Sequence, residues 1–87
     1  MTYQINKEEI IFTQLGDEGV VYSLKTNEYV TLNETMFHIL NGVDQGQQPD
    51  DIAAQLCREY DVSEANSRQA VTEALGELAT NGYIITA

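Results

Sequence analysis

The hydrophobic pattern of this chain changes its period once, next to Leu32, and that change limits the folds the chain can adopt. Before it, β-branched and aromatic residues form three short runs, at 10–13, 20–22 and 29–32, as β-strands do. After it, apolar residues recur at steps of three and four, which is the spacing of amphipathic helices. The sequence therefore predicts an α+β fold with a three-stranded antiparallel sheet followed by three helices, in the order β-β-β-α-α-α.

Two short segments between the strand runs have the composition of hairpin turns. Residues 16–19 read Gly-Asp-Glu-Gly and residues 25–27 read Lys-Thr-Asn, and both segments contain residues that tolerate a positive φ. Placing Leu24 opposite Glu28 leaves a three-residue second loop, in which we expect Asn27 to take the left-handed conformation. The three strands then form a meander whose last strand lies at an edge of the sheet.

Helix-terminal residues mark the helical segments. Asn33 is a good N-cap for the first helix, which we expect to end near Gly46. Pro49 suits the first position of the second helix, and Ser63 is a good N-cap for the third.

The third helical segment is the longest and ends at the Asn81-Gly82 pair. We expect the apolar segment 83–85 behind it to pack back on the core. The inward face of this helix contains, at helical spacing, Ala70 or Val71, Ala74, Leu75 and Leu78. No linker or repeat interrupts the chain, so we expect residues 1–87 to form one domain.

The charge balance restricts the kinds of partner. Lys and Arg number 4 against 14 Asp and Glu, a formal net charge of −10, which argues against nucleic-acid phosphates or an anionic membrane. The uncharged run 36–43 is far too short to cross a bilayer, and no signal peptide is evident. The single cysteine, Cys57, excludes an internal disulfide. We therefore expect a cytoplasmic protein with no nucleic-acid partner and no membrane partner.

Residues that commonly carry out catalysis are scarce. The one histidine, His38, lies beside the apolar stripe of the first helix, and we expect it on the helix surface. Cys57 shares a helix face with apolar residues, which favours a core position. Neither C-x-x-C nor H-x-x-x-H occurs, and the adjacent carboxylates at 8–9, 17–18 and 50–51 are expected by chance in so acidic a chain. We therefore expect a binding module with no catalytic residue, no metal and no cofactor.

The last strand, residues 29–32, lacks the devices that usually protect an edge. It contains neither lysine nor proline, so either another chain pairs with it or a helix covers it. The third helix places Arg68, Val71 or Thr72, and Leu75 at neighbour spacing on one face, although part of that stripe must pack the core. A groove between an edge strand and such a helix suits β-augmentation by an extended peptide.

An ordered set of residues forms a recognisable pattern along most of the chain. It comprises Tyr-Ser-Leu-Lys-Thr-Asn-Glu-Tyr-Val-Thr-Leu-Asn at 22–33, Pro-Asp-Asp-Ile at 49–52 and the closing Leu-x-x-Leu-x-x-x-Gly at 75–82. This pattern resembles the PqqD-like family, whose members are recognition elements for ribosomally made, post-translationally modified peptides. The resemblance covers residues 18–85 and fits standalone leader-binding proteins, such as those of lasso-peptide biosynthesis.

The resemblance implies a winged-helix-like fold in which the leader segment of a precursor peptide adds as an antiparallel strand to the third strand, against the third helix. It implies that the protein has no catalytic residues and presents the leader to a leader peptidase, a cyclase or another modifying enzyme. Carried onto this sequence, the peptide-binding residues are Glu28, Tyr29, Val30, Thr31, Leu32, Arg68, Val71, Thr72 and Leu75.

Two further expectations concern charge and self-association. Arg68 is the only cation on the third helix, and we expect it to pair with Glu64 or Thr72 rather than with a leader carboxylate. We expect a monomer, although an exposed edge strand could also pair with a second copy.

The acidity of the chain leaves a second hypothesis open, in which the protein is a generic acidic adaptor whose partner is a folded protein. Substitutions on the acidic surface would then weaken binding more than substitutions in the edge strand.

Overall fold

The strands and helices follow in the predicted order, with one short strand added at each end of the chain. The computed structural model describes residues 2–16 and 18–86; Met1, Ala87 and Asp17, the last of which belongs to the first predicted turn, lie outside the described residues. The elements are β1 (Tyr3–Ile5), β2 (Ile10–Leu15), β3 (Glu18–Ser23), β4 (Glu28–Leu32), α1 (Glu34–Asp44), α2 (Pro49–Tyr60), α3 (Glu64–Thr80) and β5 (Ile84–Thr86).

The three central strands form the predicted antiparallel sheet, in the order β2-β3-β4. Because β3 pairs with β2 on one side and with β4 on the other, β2 and β4 are the two edges. Alternate residues of a strand point to the same face, and Ile10, Val21 and Leu32 on the inner face are buried. The α+β fold with a three-stranded antiparallel sheet followed by three helices is confirmed.

The two ends of the chain form a second, two-stranded sheet. β1 pairs antiparallel with β5, with Ile5 opposite Ile84, and both isoleucines belong to the core. The Asn6 side chain donates a hydrogen bond to the Gly82 carbonyl oxygen at 3.1 Å, which ties the two strands further. The C-terminal apolar segment therefore packs back as predicted, but it does so as a strand.

The β3–β4 hairpin has a different register from the predicted one. Ser23, not Leu24, lies opposite Glu28, so the loop contains four residues instead of three. Ser23 closes this loop with its carbonyl oxygen, which accepts from the Asn27 N–H at 2.8 Å, and with its Oγ, which accepts from the Thr26 N–H at 3.2 Å. Asn27 adopts the predicted left-handed conformation, with a φ of 59°. The predicted register is wrong because a left-handed Asn fits the last position of loops of either length.

The helix ends agree with the predicted caps. The Asn33 side chain accepts from the N–H three residues further on at 2.8 Å, and Ser63 Oγ does the same at 3.2 Å. α2 begins at Pro49, and α1 ends just before Gly46, whose φ of 79° favours glycine.

One core joins the inner face of the sheet to the helices. On α3 the inward residue is Val71, which is 1% exposed, and not Ala70, which is exposed. The buried Ser67 hydroxyl donates to the Ala53 carbonyl oxygen at 2.6 Å and links α3 to α2. The core side chains are Ile5, Ile10, Val21, Leu32, Phe37, Ile39, Leu40, Val43, Ile52, Ala53, Leu56, Val71, Ala74, Leu75, Leu78 and Ile84. Among the described helices, none combines the length and apolarity that a membrane span requires.

Candidate functional site

The strand β4 forms an open edge of the sheet. It pairs with β3 on one side, and its first four residues, Glu28 to Thr31, are exposed, whereas Leu32 is buried. The exposed fraction reaches 74% at Tyr29 and is still 37% at the apolar Val30. Of the two alternatives for this strand, the structure therefore favours an edge open to another chain over one covered by a helix.

The hydrogen-bond pattern identifies the backbone groups that point away from the sheet. Residues of an antiparallel pair alternate between exchanging hydrogen bonds and pointing away from each other. The Leu24 N–H donates to the Glu9 carbonyl oxygen at 2.8 Å, so Tyr22, two residues back, also bonds to β2. Odd-numbered residues of β3 therefore bond to β4, and their partners on β4 are the even-numbered ones. The N–H and C=O groups of Tyr29 and Thr31 consequently face the open edge.

The inner face of β4 borders a depression beside the end of α3. Glu28 and Val30 line it from the strand, Lys25 lines it from the hairpin loop, and Asn81 and Tyr83 line it from the segment after α3. Its volume is about 270 Å³, which is enough for one side chain. A strand placed alongside β4 would direct every second side chain toward this inner side.

The residues predicted on α3 divide into two groups. Val71 and Leu75 are 1% and 3% exposed and share one core cluster with Leu32. Arg68 and Thr72 are exposed, and Arg68 Nη2 lies 3.2 Å from Glu64 Oε1, which is one of the two pairings expected for it. Thus Val71 and Leu75 belong to the core, and contact of these α3 residues with a bound peptide stays a prediction.

Tyr22 belongs to the site, although the sequence reasoning did not include it. Its ring contacts that of the exposed Tyr29 in a tilted arrangement with the centroids 4.7 Å apart, and its hydroxyl donates to Asn27 Oδ1 at 3.0 Å. These contacts restrict the orientation of Tyr29 at the open edge. The feature that identifies Tyr22 is its cross-strand pairing with Tyr29. This pairing exists only in the observed hairpin register.

The solvent-facing side of the sheet, here called the outer face, is unusually apolar. Ile11 and Leu15 on β2 are 51% and 61% exposed, and Ile11, Tyr22 and Tyr29 lie in one row across the three strands. The outer face comprises Ile11, Thr13, Leu15, Glu18, Val20, Tyr22, Tyr29 and Thr31. It adjoins the open edge of β4 without interruption.

The histidine and the cysteine occupy structural positions. His38 is half-buried on α1, with its Nε2 3.5 Å from Glu59 Oε2. Cys57 is half-buried rather than part of the core, and its thiol donates to the Val62 carbonyl oxygen at 2.9 Å.

Near His38, desolvation and then the Glu34 carboxylate raise the pKa of Tyr60. Within residues 2–16 and 18–86, no cluster of His, Cys, Asp and Glu could hold a metal ion.

The sequence matches a family model over most of its length. The model describes Coenzyme PQQ synthesis protein D (PqqD), and the match covers residues 18–84, which include the whole β3–β4 hairpin and all three helices. The chain therefore belongs to the PqqD family. No curated protein matches it.

Two solved structures have a similar fold. One is described as TbiB1 in complex with the TbiA(beta) leader peptide; it has 23% identity and a TM-score of 0.85 over 97% of this chain and 96% of that one. The other is described as lasso peptide synthetase B1 complexed with the leader peptide, with 24% identity and a TM-score of 0.85 over 99% of this chain and all of that one. At this identity the similarity shows the fold.

Proposed function

We propose that this protein binds the leader segment of a ribosomally synthesised precursor peptide as an additional antiparallel strand along β4. The observation that carries the proposal is the open edge at which the backbone groups of Tyr29 and Thr31 point outward. Outward-pointing backbone groups on an exposed strand are what β-augmentation requires. The depression beside Val30 gives one leader side chain a place to enter.

Family membership and fold support a leader peptide as the ligand. Both similar structures are described as complexes with a leader peptide, and the family match includes the hairpin that ends in β4. We propose a standalone recognition role of the kind found in lasso-peptide biosynthesis, in which this chain contributes binding and another protein contributes the chemistry.

The site supports moderate affinity. Tyr29 and Thr31 offer two donors and two acceptors, and each backbone hydrogen bond contributes about 1 kcal/mol net. Burial of about 200 Å² of apolar surface adds about 5 kcal/mol at about 25 cal/mol per Å². Ordering an extended peptide opposes both contributions. We therefore expect a dissociation constant no tighter than micromolar.

We further propose that the enzyme acting on the bound leader docks on the outer face. Two exposed side chains, Ile11 and Tyr29, flank the half-buried Tyr22 in a row there, and exposed apolar patches are typical of interaction sites. A leader strand added to β4 would extend this face by its own alternate side chains. The enzyme could then contact the protein and the leader together.

Fluorescence anisotropy of a labelled leader peptide from the neighbouring precursor gene tests leader binding. We expect saturable, micromolar binding that persists when the salt concentration is raised, because backbone hydrogen bonds and apolar contacts are only weakly screened. Absence of binding by a folded protein would refute the proposal. Binding that disappears with salt would instead favour an acidic adaptor, since the net charge of −10 would then provide most of the attraction.

A further inference from the structure

Tyr29 has the most exposed large hydrophobic side chain of the described residues, and it lies on the open edge strand β4. Its side chain is 74% exposed and points to the outer face of the sheet. Tyrosine is enriched among the residues that contribute most to binding, because its ring offers a large contact area at a low cost in side-chain entropy. The exposure of Tyr29 therefore indicates a contact with the strand that adds to β4.

The ring of Tyr29 is held in position before any ligand binds. Tyr22 and Tyr29 lie directly opposite each other, in a pair that exchanges no backbone hydrogen bonds, and side chains lie closest in such pairs. The two ring centroids are 4.7 Å apart, and the Tyr22 hydroxyl donates to Asn27 Oδ1 at 3.0 Å. Because these contacts already restrict the Tyr29 ring, ordering it on binding costs less entropy.

An antiparallel strand added to β4 has one residue directly opposite Tyr29. The N–H and C=O groups of Tyr29 face the open edge, so this leader residue exchanges both of its backbone hydrogen bonds with Tyr29. Its side chain lies on the outer face, because directly opposite residues of an antiparallel pair share a face. It therefore continues the row of Ile11, Tyr22 and Tyr29 onto a fourth strand.

The surroundings of this position favour an aromatic leader residue. Among the described residues of the outer face, Glu18 is the one charged side chain, and it lies at the opposite end of β3 from Tyr22. Aromatic pairs on neighbouring strands stabilise a sheet beyond the effect of the area they bury. We propose that the leader residue opposite Tyr29 is aromatic and that Tyr29 selects for it. This inference rests on the leader binding proposed above.

A double-mutant cycle tests the pairing, with the labelled leader peptide from the neighbouring precursor gene and fluorescence anisotropy. One change is Tyr29→Thr, and the other replaces a leader aromatic residue with alanine. Each change alone should raise the dissociation constant about two- to tenfold. The two together should raise it little more than either one, because both remove the same contact. Tyr29→Phe keeps the ring and should retain both the affinity and the coupling.

The position of the coupled leader residue is a second readout. Its N–H bonds to Tyr29, so N-methylation of that same residue should weaken binding. Ile85→Thr is the matched control, because it also replaces an exposed hydrophobic residue of a strand, but in the β1–β5 sheet. Leader affinity and the effect of the leader alanine substitution should be unchanged in this variant. Circular dichroism should show that all three protein variants fold.

The outcomes separate this inference from leader binding itself. A leader that does not bind refutes the proposed function and this inference with it. A leader that binds, but has no aromatic residue coupled to Tyr29, overturns the aromatic pairing alone. Coupling to an aromatic residue whose N-methylation has no effect would also overturn it, since that side chain would lie on the inner face.

Discussion

Replacing Thr31 with proline should weaken leader binding without unfolding the protein. Thr31 lies on an edge strand with its N–H directed away from β3, and this is the position at which a strand tolerates proline. The substitution removes one of the two donors that Tyr29 and Thr31 offer. It also leaves a leader carbonyl without a partner, which costs about 1–3 kcal/mol. We therefore expect the dissociation constant to rise about 5- to 150-fold.

Gln14→Pro is the matched control for this experiment. Gln14 also has its N–H at an open edge, but on β2 and therefore at the opposite side of the sheet. Leader affinity measured by anisotropy should not change in this variant, and circular dichroism should show that both variants fold. Equal affinity of Thr31→Pro and the unmodified protein would refute the assignment of this edge.

A modification of the ligand gives the same information without altering the protein. Single N-methylation along the leader should weaken binding at every second position, because alternate leader amides face β4. A loss of leader affinity that does not alternate between successive methylated positions would also contradict strand addition.

Three further predictions concern the core, the pH dependence of stability and the outer face. Ser67→Ala should lower the free energy of unfolding in urea by about 1–2 kcal/mol, because it removes the buried hydrogen bond to Ala53; an unchanged midpoint would contradict this. Because the pKa of Tyr60 is raised in the folded state, its contribution to stability should be complete below about pH 10 and lost as the pH rises through the higher folded value. Thermal unfolding of Tyr60→Phe should lack this alkaline loss, and an identical profile would exclude Tyr60 as its cause. Ile11→Thr should leave leader affinity unchanged and slow the processing of the bound precursor by its enzyme; undiminished processing would exclude Ile11 from the docking surface.

Local signals explain why the order and ends of the helices were predictable. Asn33, Pro49 and Ser63 act through hydrogen bonds or backbone restrictions within three residues of themselves. The β1–β5 sheet joins opposite ends of the chain, with Ile5 opposite Ile84. A pairing between distant segments is not visible in the local hydrophobic periodicity of the sequence. Three-residue strands are also too short to show such a periodicity.

The candidate site was predictable only in part, for physical reasons. An unprotected strand at 29–32 is visible in the composition, but the direction of each backbone group depends on the register, which the Ser23 contacts decide. Helical spacing placed Val71 and Leu75 on one face without indicating whether that face lines a groove or the core. Packing places both in the core, because a domain of this size has few other large apolar side chains to fill it.

Amide hydrogen exchange, followed by NMR on the ¹⁵N-labelled protein with and without the leader peptide, tests leader addition to β4 most directly. We predict that the amides of Tyr29 and Thr31 become protected when the leader binds, since those N–H groups would donate to it. The amides of Phe12 and Gln14, which face the other edge, should exchange as before at concentrations where the protein is monomeric. Protection at β2 instead, or leader binding with no change at Tyr29 and Thr31, would contradict strand addition at β4.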